Sequence, residues 1–149
     1  MANIRDVWVY ANNIIHSARK MINEELKPLG LTSAEGNIIL HLLTQGEEIR
    51  QEDIVTQLEI SKPAVSRALD SLQKKGFVRR EKDSHDKRVS RVLLTQRARD
   101  KGAKIEQIYD KVFATATQGV REEDIEEAVR FFALISQNFS QAGGSKDDK

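Results

Sequence analysis

The chain of 149 residues is sized for one domain, or a small domain with helical extensions, and its 39% apolar and 32% charged residues suit an elongated helical protein. It has no cysteine, which excludes disulfides, cysteine zinc sites, thiol catalysis and thiol redox sensing. The formal net charge of +1 carries no message by itself, but residues 50–104 hold 15 Lys and Arg against 8 Asp and Glu, a net +7, while the remainder nets −6. A basic middle between acidic ends is the footprint of a polyanion-binding surface.

No apolar run approaches the roughly 18–20 residues that span a bilayer. The N-terminal MANIRDVWVY lacks the basic segment and apolar core of a signal peptide, so a cytoplasmic protein with no membrane partner is expected. From Ile4 to Leu26, apolar residues recur at steps of three and four and form one stripe of a first helix, which Pro28 and Gly30 end. A terminal amphipathic helix of this length usually packs on another subunit or another long helix. Thr32 and Glu35 form a capping box that opens a second helix, with Ile38, Ile39, Leu42 and Leu43 facing in, and Gly46 stops it. Residues 47–50 read as a connector in which Ile49 suits a short strand. A short third helix, Gln51–Leu58, follows.

Ser61 is an N-cap and Pro63 sits in the first turn of a fourth helix that runs to about Lys75, where Gly76 closes it. Residues 77–81 and 88–94 are β-like around a polar turn, and so predict a hairpin. A long fifth helix begins near Thr95, with a stripe through Ile105, Ile108, Tyr109, Val112 and Phe113, and Gly119 breaks it. The sixth helix spans about Glu122–Phe139, and the polar, glycine-rich 142–149 reads as a disordered tail. The fold class is therefore mainly α, an α+β winged helix of six helices and a two-stranded β wing.

A short helix, a tight turn and a helix with a polar first turn make a helix-turn-helix layout. Ile54, Leu58, Ile60, Val65 and Ala68 or Leu69 would join its two helices. The other face of the fourth helix offers Ser61, Lys62, Pro63, Ala64, Ser66, Arg67 and Ser71. Arg67 suits a bidentate bond to a guanine edge or a phosphate contact, Ala64 and Pro63 are small enough to let the helix enter the groove, Lys62 suits a phosphate, and the serines suit phosphates or base edges. The hairpin adds Lys82, His85, Lys87, Arg88 and Arg91, a basic tip that fits a narrow minor groove, with Asp86 placed to hold Arg88. Lys74 and Lys75 extend the basic edge, and Arg97 and Arg99 would add phosphate contacts.

The run Ser61-Lys62-Pro63-Ala64-Val65-Ser66-Arg67, then Leu72-Gln73-Lys74-Lys75-Gly76-Phe77-Val78, the hairpin Asp83-Ser84-His85-Asp86-Lys87-Arg88 and Leu94-Thr95 together resemble the multiple-antibiotic-resistance-regulator (MarR) family of winged-helix transcription regulators. The chain departs from the family pattern at Glu59, where Gly is usual, at Arg50-Gln51, which lacks a Ser/Thr cap, and at Gln96-Arg97-Ala98-Arg99. The resemblance implies a homodimer interlocked through its first, fifth and sixth helices. It also implies a palindromic double-stranded DNA operator, with recognition helices in successive major grooves and wings in the minor groove. Residues 1–30 and 105–141 are then the dimerisation region and 31–104 the DNA-binding region.

The family's habit of binding small aromatic or phenolic ligands implies candidate effector residues in Trp8, Tyr10 and Tyr109, with His16, Arg19 and Lys20 as polar partners; the same aromatics also suit a dimer core. The three histidines have no cluster at metal-ligand spacing, so no metal and no cofactor are expected. Neither a nucleophile–base pair nor a phosphate loop is present, so no enzymatic activity is expected. The competing reading is a winged helix used for protein–protein contact without sequence-specific DNA binding; RNA binding lacks an aromatic stacking platform.

Overall fold

The computed structural model describes residues 1–46 and 48–147, with side chains described to Gly143. The chain forms two compact units, Met1–Phe113 and Ala114–Lys149. Their described residues contain six α-helices and a three-stranded antiparallel sheet. No helix among them is long and apolar enough to cross a membrane.

Helix α1 (Ile4–Leu26) starts at a capping box, in which the Asn3 side chain accepts from the Arg5 amide at 2.8 Å and Asp6 accepts from the Asn3 amide at 2.9 Å. Only its C-terminal part enters the core: Ile22 and Leu26 are buried, and Ala18 and Met21 pack beside them. Toward the N-terminus, Ile4, Ile14 and Ile15 of the stripe are exposed in the single chain, as is Trp8 beside it, while Val7 and Ala11 are half-buried. A 3-10 turn at Lys27–Leu29 leads to Gly30 in the left-handed region. The Thr32–Glu35 capping box then opens α2 (Ser33–Gln45), as the sequence predicts.

Strand β1 (Glu48–Arg50) pairs with β3 (Ser90–Leu94), which pairs with β2 (Val78–Lys82). The expected two-stranded wing is thus a hairpin extended by a third strand. The connector closes on the hairpin because Ile49 sits opposite the fully buried Val92. Glu47 lies outside the described residues.

Helix α3 (Gln51–Leu58) begins at Arg50 without a side-chain cap and ends at Glu59, at φ 52°. A non-glycine residue in the left-handed region costs roughly 1–2 kcal/mol, and Glu59 accepts it because the tight turn into α4 requires that backbone. Helix α4 (Lys62–Lys74) opens at Ser61, whose hydroxyl accepts from the Ala64 amide at 3.3 Å. It closes in a Schellman motif: the Phe77 amide donates to Leu72 O at 2.9 Å, the Gly76 amide to Gln73 O at 3.1 Å, and Gly76 has φ 82°. Phe77 and Leu72, both buried, supply the motif's apolar contact.

Thr95 fixes the start of α5 (Gln96–Ala116) against that corner. Its hydroxyl donates to Gly76 O at 2.6 Å and accepts from the Ala98 amide at 3.3 Å. The core of the first unit joins Leu26, Ile38, Ile39, Leu42, Ile54, Val65, Leu69, Leu72, Phe77, Val92, Leu94 and Ile105, all at most 2% exposed.

In the second unit, α6 (Glu122–Asp147) opens with Arg121 ion-paired to Asp124 at 2.9 Å. It continues to Asp147, through most of the segment read as a tail, since extending a helix adds one backbone hydrogen bond per residue even where Gly143 and Gly144 weaken it. Residues 148 and 149 lie outside the described residues.

Helices α1 and α2 meet at Gly36, where an added Cβ would come within 2.4 Å of Leu26 Cδ1 and 2.9 Å of the Tyr109 hydroxyl. Gly36→Ala should cost about 1–3 kcal/mol by overpacking, lowering Tm by some 2–4 °C per kcal/mol. Calorimetry finding an unchanged Tm would show that this packing is not tight.

Candidate nucleic-acid interface

Helix α4 divides its circumference between core and solvent. Val65, Leu69 and Leu72 are buried, while Lys62, Pro63, Arg67 and Asp70 are exposed. Ser61, Lys62 and Pro63 form an exposed N-terminal turn, and Ala64 and Ser66 are half-buried beside it. The first-turn residues singled out by sequence therefore sit together at one end of the helix, with Arg67 following on the next turn.

Arg80 of β2 ties the hairpin to the same helix. Its guanidinium donates to Asp70 at 2.5 Å and to Gln73 at 2.8 Å. Asp70 lies one turn beyond Arg67, so the first wing strand runs beside the exposed side of α4. The tip of the wing is ordered by its own side chains. Asp83 accepts from the His85 and Asp86 amides at 3.2 and 3.1 Å. Asp86 accepts from the Arg88 amide at 3.0 Å and from its guanidinium at 3.1 and 3.2 Å. Hydrogen bonds from the Arg88 side chain, then from its amide, hold the Asp86 carboxyl below its ordinary pKa. Arg88 is thereby fixed in pose yet 91% exposed. Lys82, His85 and Lys87 are exposed around it.

Two of the sequence candidates are engaged inward. Arg91 is half-buried and pairs with Glu48 of β1, with Asp83 of the wing turn at 3.9 Å, so its guanidinium lies between the neighbouring strand and that turn. Ser71 donates its hydroxyl to Glu35 Oε2 at 2.8 Å. Lys75, read as part of the basic edge, donates to both oxygens of the same carboxylate at 2.8 and 2.9 Å. Arg97 lies over the Phe77 ring, 5.2 Å from its centroid, and Arg99 donates to Leu94 O at 3.3 Å.

Glu35 is the residue whose reach the sequence did not reveal. It is 2% exposed and accepts from Ser71, Lys75 and the Thr32 amide. Burial alone pushes its carboxyl up. The hydrogen bonds from Lys75, Thr32 and Ser71 outweigh that, and the net pKa is lowered. The capping-box spacing identifies its local role, but nothing in the spacing signals partners 36 and 40 residues away.

A cleft of about 700 Å³ opens beside α2, lined by Arg19, Asn37, His41, Leu58, Tyr109 and Phe113, among others. Of the candidate effector residues, Arg19 and Tyr109 border it. Trp8, Tyr10 and His16 do not and lie exposed on α1. At about 1.5 Å per residue, Trp8 and Tyr10 are displaced well along the helix from Arg19. The buried Tyr109 hydroxyl donates to Asn37 at 2.5 Å, and burial raises its pKa. His41 shares a hydrogen bond with Gln57 at 2.5 Å. In the sequence, this side of the cleft corresponds to the polar residues Ser33, Asn37 and His41 at i, i+4, i+8 of α2.

Residues 29–89 match the model of the MarR family. Solved structures similar to this chain include the transcriptional regulator SlyA, at 22% identity and TM-score 0.84, covering 92% of this chain and 96% of that one. A MarR variant from E. coli in complex with operator DNA is 21% identical, at TM-score 0.77, covering 89% and 94%. The organohalide-sensing transcriptional regulator RdhR, bound to 2,4-dichlorophenol, is 20% identical, at TM-score 0.80, covering 93% and 82%. At these identities the likeness establishes a shared fold.

Because Glu35 has a depressed pKa in the folded chain, its contribution to stability is complete above the ordinary value of 4.5 and is lost as pH falls through the folded value. Urea unfolding should show an acid limb that flattens in Glu35→Gln. Equally steep limbs in both proteins would assign acid sensitivity to other carboxylates.

Proposed function

From the match of residues 29–89 to the MarR family model, we propose that the chain is a homodimeric transcriptional regulator of that family that binds palindromic double-stranded DNA, acts as a repressor, and is released by a small aromatic or phenolic molecule. One observation carries the DNA reading. The exposed turn Ser61–Pro63 and Arg67 share a unit with an exposed, Asp86-braced Arg88, and the Arg80–Asp70 pair sets the wing strand beside the helix that bears them. Ser61, Lys62, Pro63, Ala64, Ser66 and Arg67 would enter the major groove, with Lys82, His85, Lys87 and Arg88 at the minor groove. Asp86 acts here by holding Arg88.

One chain offers one recognition helix and hence one half-site. Two such helices must lie about 34–36 Å apart to meet half-sites one turn apart. The exposed apolar residues of α1, Ile4, Trp8, Ile14 and Ile15, and those of α6, Val129, Phe132 and Phe139, support a second copy as the partner that covers them. The dimerisation region is then 1–30 with 105–141, and the DNA-binding region 31–104.

For release, the cleft between Arg19, Asn37, His41 and Tyr109 supplies a cation, amide and imidazole groups and aromatic walls, the chemistry that a phenolate or aromatic carboxylate needs. The dichlorophenol bound by RdhR supports that ligand class. A ligand that prefers the DNA-free spacing lowers DNA affinity by its differential affinity, tenfold for about 1.4 kcal/mol.

The test uses the duplex that the protein enriches from a random-sequence library. Arg67→Ala should weaken binding by about 1–3 kcal/mol and relax base preference at one position per half-site. Arg88→Ala should weaken all duplexes alike and reduce the salt slope by about one per contact. Unchanged affinity in both variants would sink the DNA face and favour a protein–protein module. Calorimetry with substituted phenols and benzoates should give heats that shrink when DNA is bound and in Arg19→Ala; no heat from any of them would count against an effector in this cleft.

A further inference from the structure

Helix α4 is seated in the core by Val65, Leu69 and Leu72, but ridge-into-groove packing of helices admits crossing angles that scatter by about 15–20°. A directional bond at one end fixes what packing leaves free. The C-terminal end of α4 has such bonds: Ser71 and Lys75, one turn apart, both reach the Glu35 carboxylate. The same carboxylate accepts from the Thr32 amide, and the Ser33 amide next to it donates to Asn23 Oδ1 of α1 at 2.6 Å. One buried anion therefore joins the N-terminus of α2, at the α1–α2 joint, to the far end of the helix that carries the DNA-facing residues.

On the DNA reading given above, we propose that Glu35 is a positioning residue for DNA recognition, and that its carboxylate, through Ser71 and Lys75, sets the angle at which the first turn of α4 meets the groove. A rotation of α4 about this pin leaves its charges on the surface, so attraction to any phosphate backbone is kept. What it moves is the register of Ser66 and Arg67 against base edges, which tolerate little displacement. Glu35 thus acts on discrimination between sequences and not on general affinity for DNA. Because the pin is shared with the α2 cap and, through Ser33, with Asn23, movement of α1 relative to α2 is felt at the recognition helix without any contact between α1 and DNA.

The experiment compares the full chain and its variants on two duplexes of equal length, the one that the wild-type protein enriches from a random library and a scrambled version, by fluorescence anisotropy at matched salt. Glu35→Gln keeps an acceptor for the Thr32 amide and loses the charge that holds Lys75. It should weaken the enriched duplex at least tenfold and the scrambled one less than twofold, collapsing the ratio between them. Lys75→Arg, which keeps a cation within reach of the carboxylate, should hold the ratio within about threefold. Lys75→Met, at a half-exposed position, should lose it, and provides the same test if Glu35→Gln does not fold. Equal losses on both duplexes would mean only a smaller folded fraction, and an unchanged ratio would mean that the pin has no part in reading; either overturns the proposal. A wild-type protein that enriches no sequence overturns the DNA reading itself, and this inference with it.

Discussion

A helix seated in a core that also presents a polar face has one cylinder to divide between two demands, and in this chain α4 meets both through the 3.6-residue period. Val65, Leu69 and Leu72 take the inward side and Lys62, Pro63, Arg67 and Asp70 the outward side. The neighbouring elements serve this division. Ile54 of α3 and Ile38, Ile39 and Leu42 of α2 belong to the apolar core against which the inward side is buried. The left-handed Glu59 delivers the chain to the Ser61 cap, and the Schellman corner at Gly76 turns it at once into the hairpin. Thr95 then bonds that corner to the start of α5.

Charge count and charge availability are different quantities here. Residues 50–104 carry a net +7, yet several of their cations have internal work. Lys75 is held by Glu35, Arg80 by Asp70 and Gln73, Arg91 by Glu48, and Arg97 stacks on Phe77. Such bonds keep elements in register, because a guanidinium or ammonium shared between two elements constrains their mutual orientation more sharply than apolar contact. Among the cations turned to solvent are Lys62 and Arg67 of α4 and Lys82, Lys87 and Arg88 of the wing, where Asp86 braces Arg88 without hiding it.

The terminal helices follow a different rule. Much of the apolar stripe of α1 and of α6 stays exposed in the single chain, and exposed apolar patches mark interaction surfaces. In the proposed dimer these surfaces set the separation of two half-site readers. The cleft beside α2 has Arg19 from α1 and Tyr109 from α5 on its walls.

Periodicity and punctuation in the sequence by themselves determined the six helices, the hairpin, the Thr32–Glu35 capping box and the stops near Gly30, Gly46, Gly76 and Gly119. These depend on neighbours three or four residues apart, and a local cause leaves a local signature. The same is true of the α4 face and of the Asp86–Arg88 pair, two residues apart. Tertiary structure alone decided the pairing of β1 with β3, the partners of Ser71, Lys75 and Arg91, and the choice of Asn37 and His41 over Trp8, Tyr10 and His16 as neighbours of Tyr109 and Arg19 around the cleft. Each of these joins groups far apart in the chain, as Glu35 joins Lys75 across 40 residues. A polar side chain reads the same in sequence whether it faces water or a buried carboxylate, and only the packed core determines which.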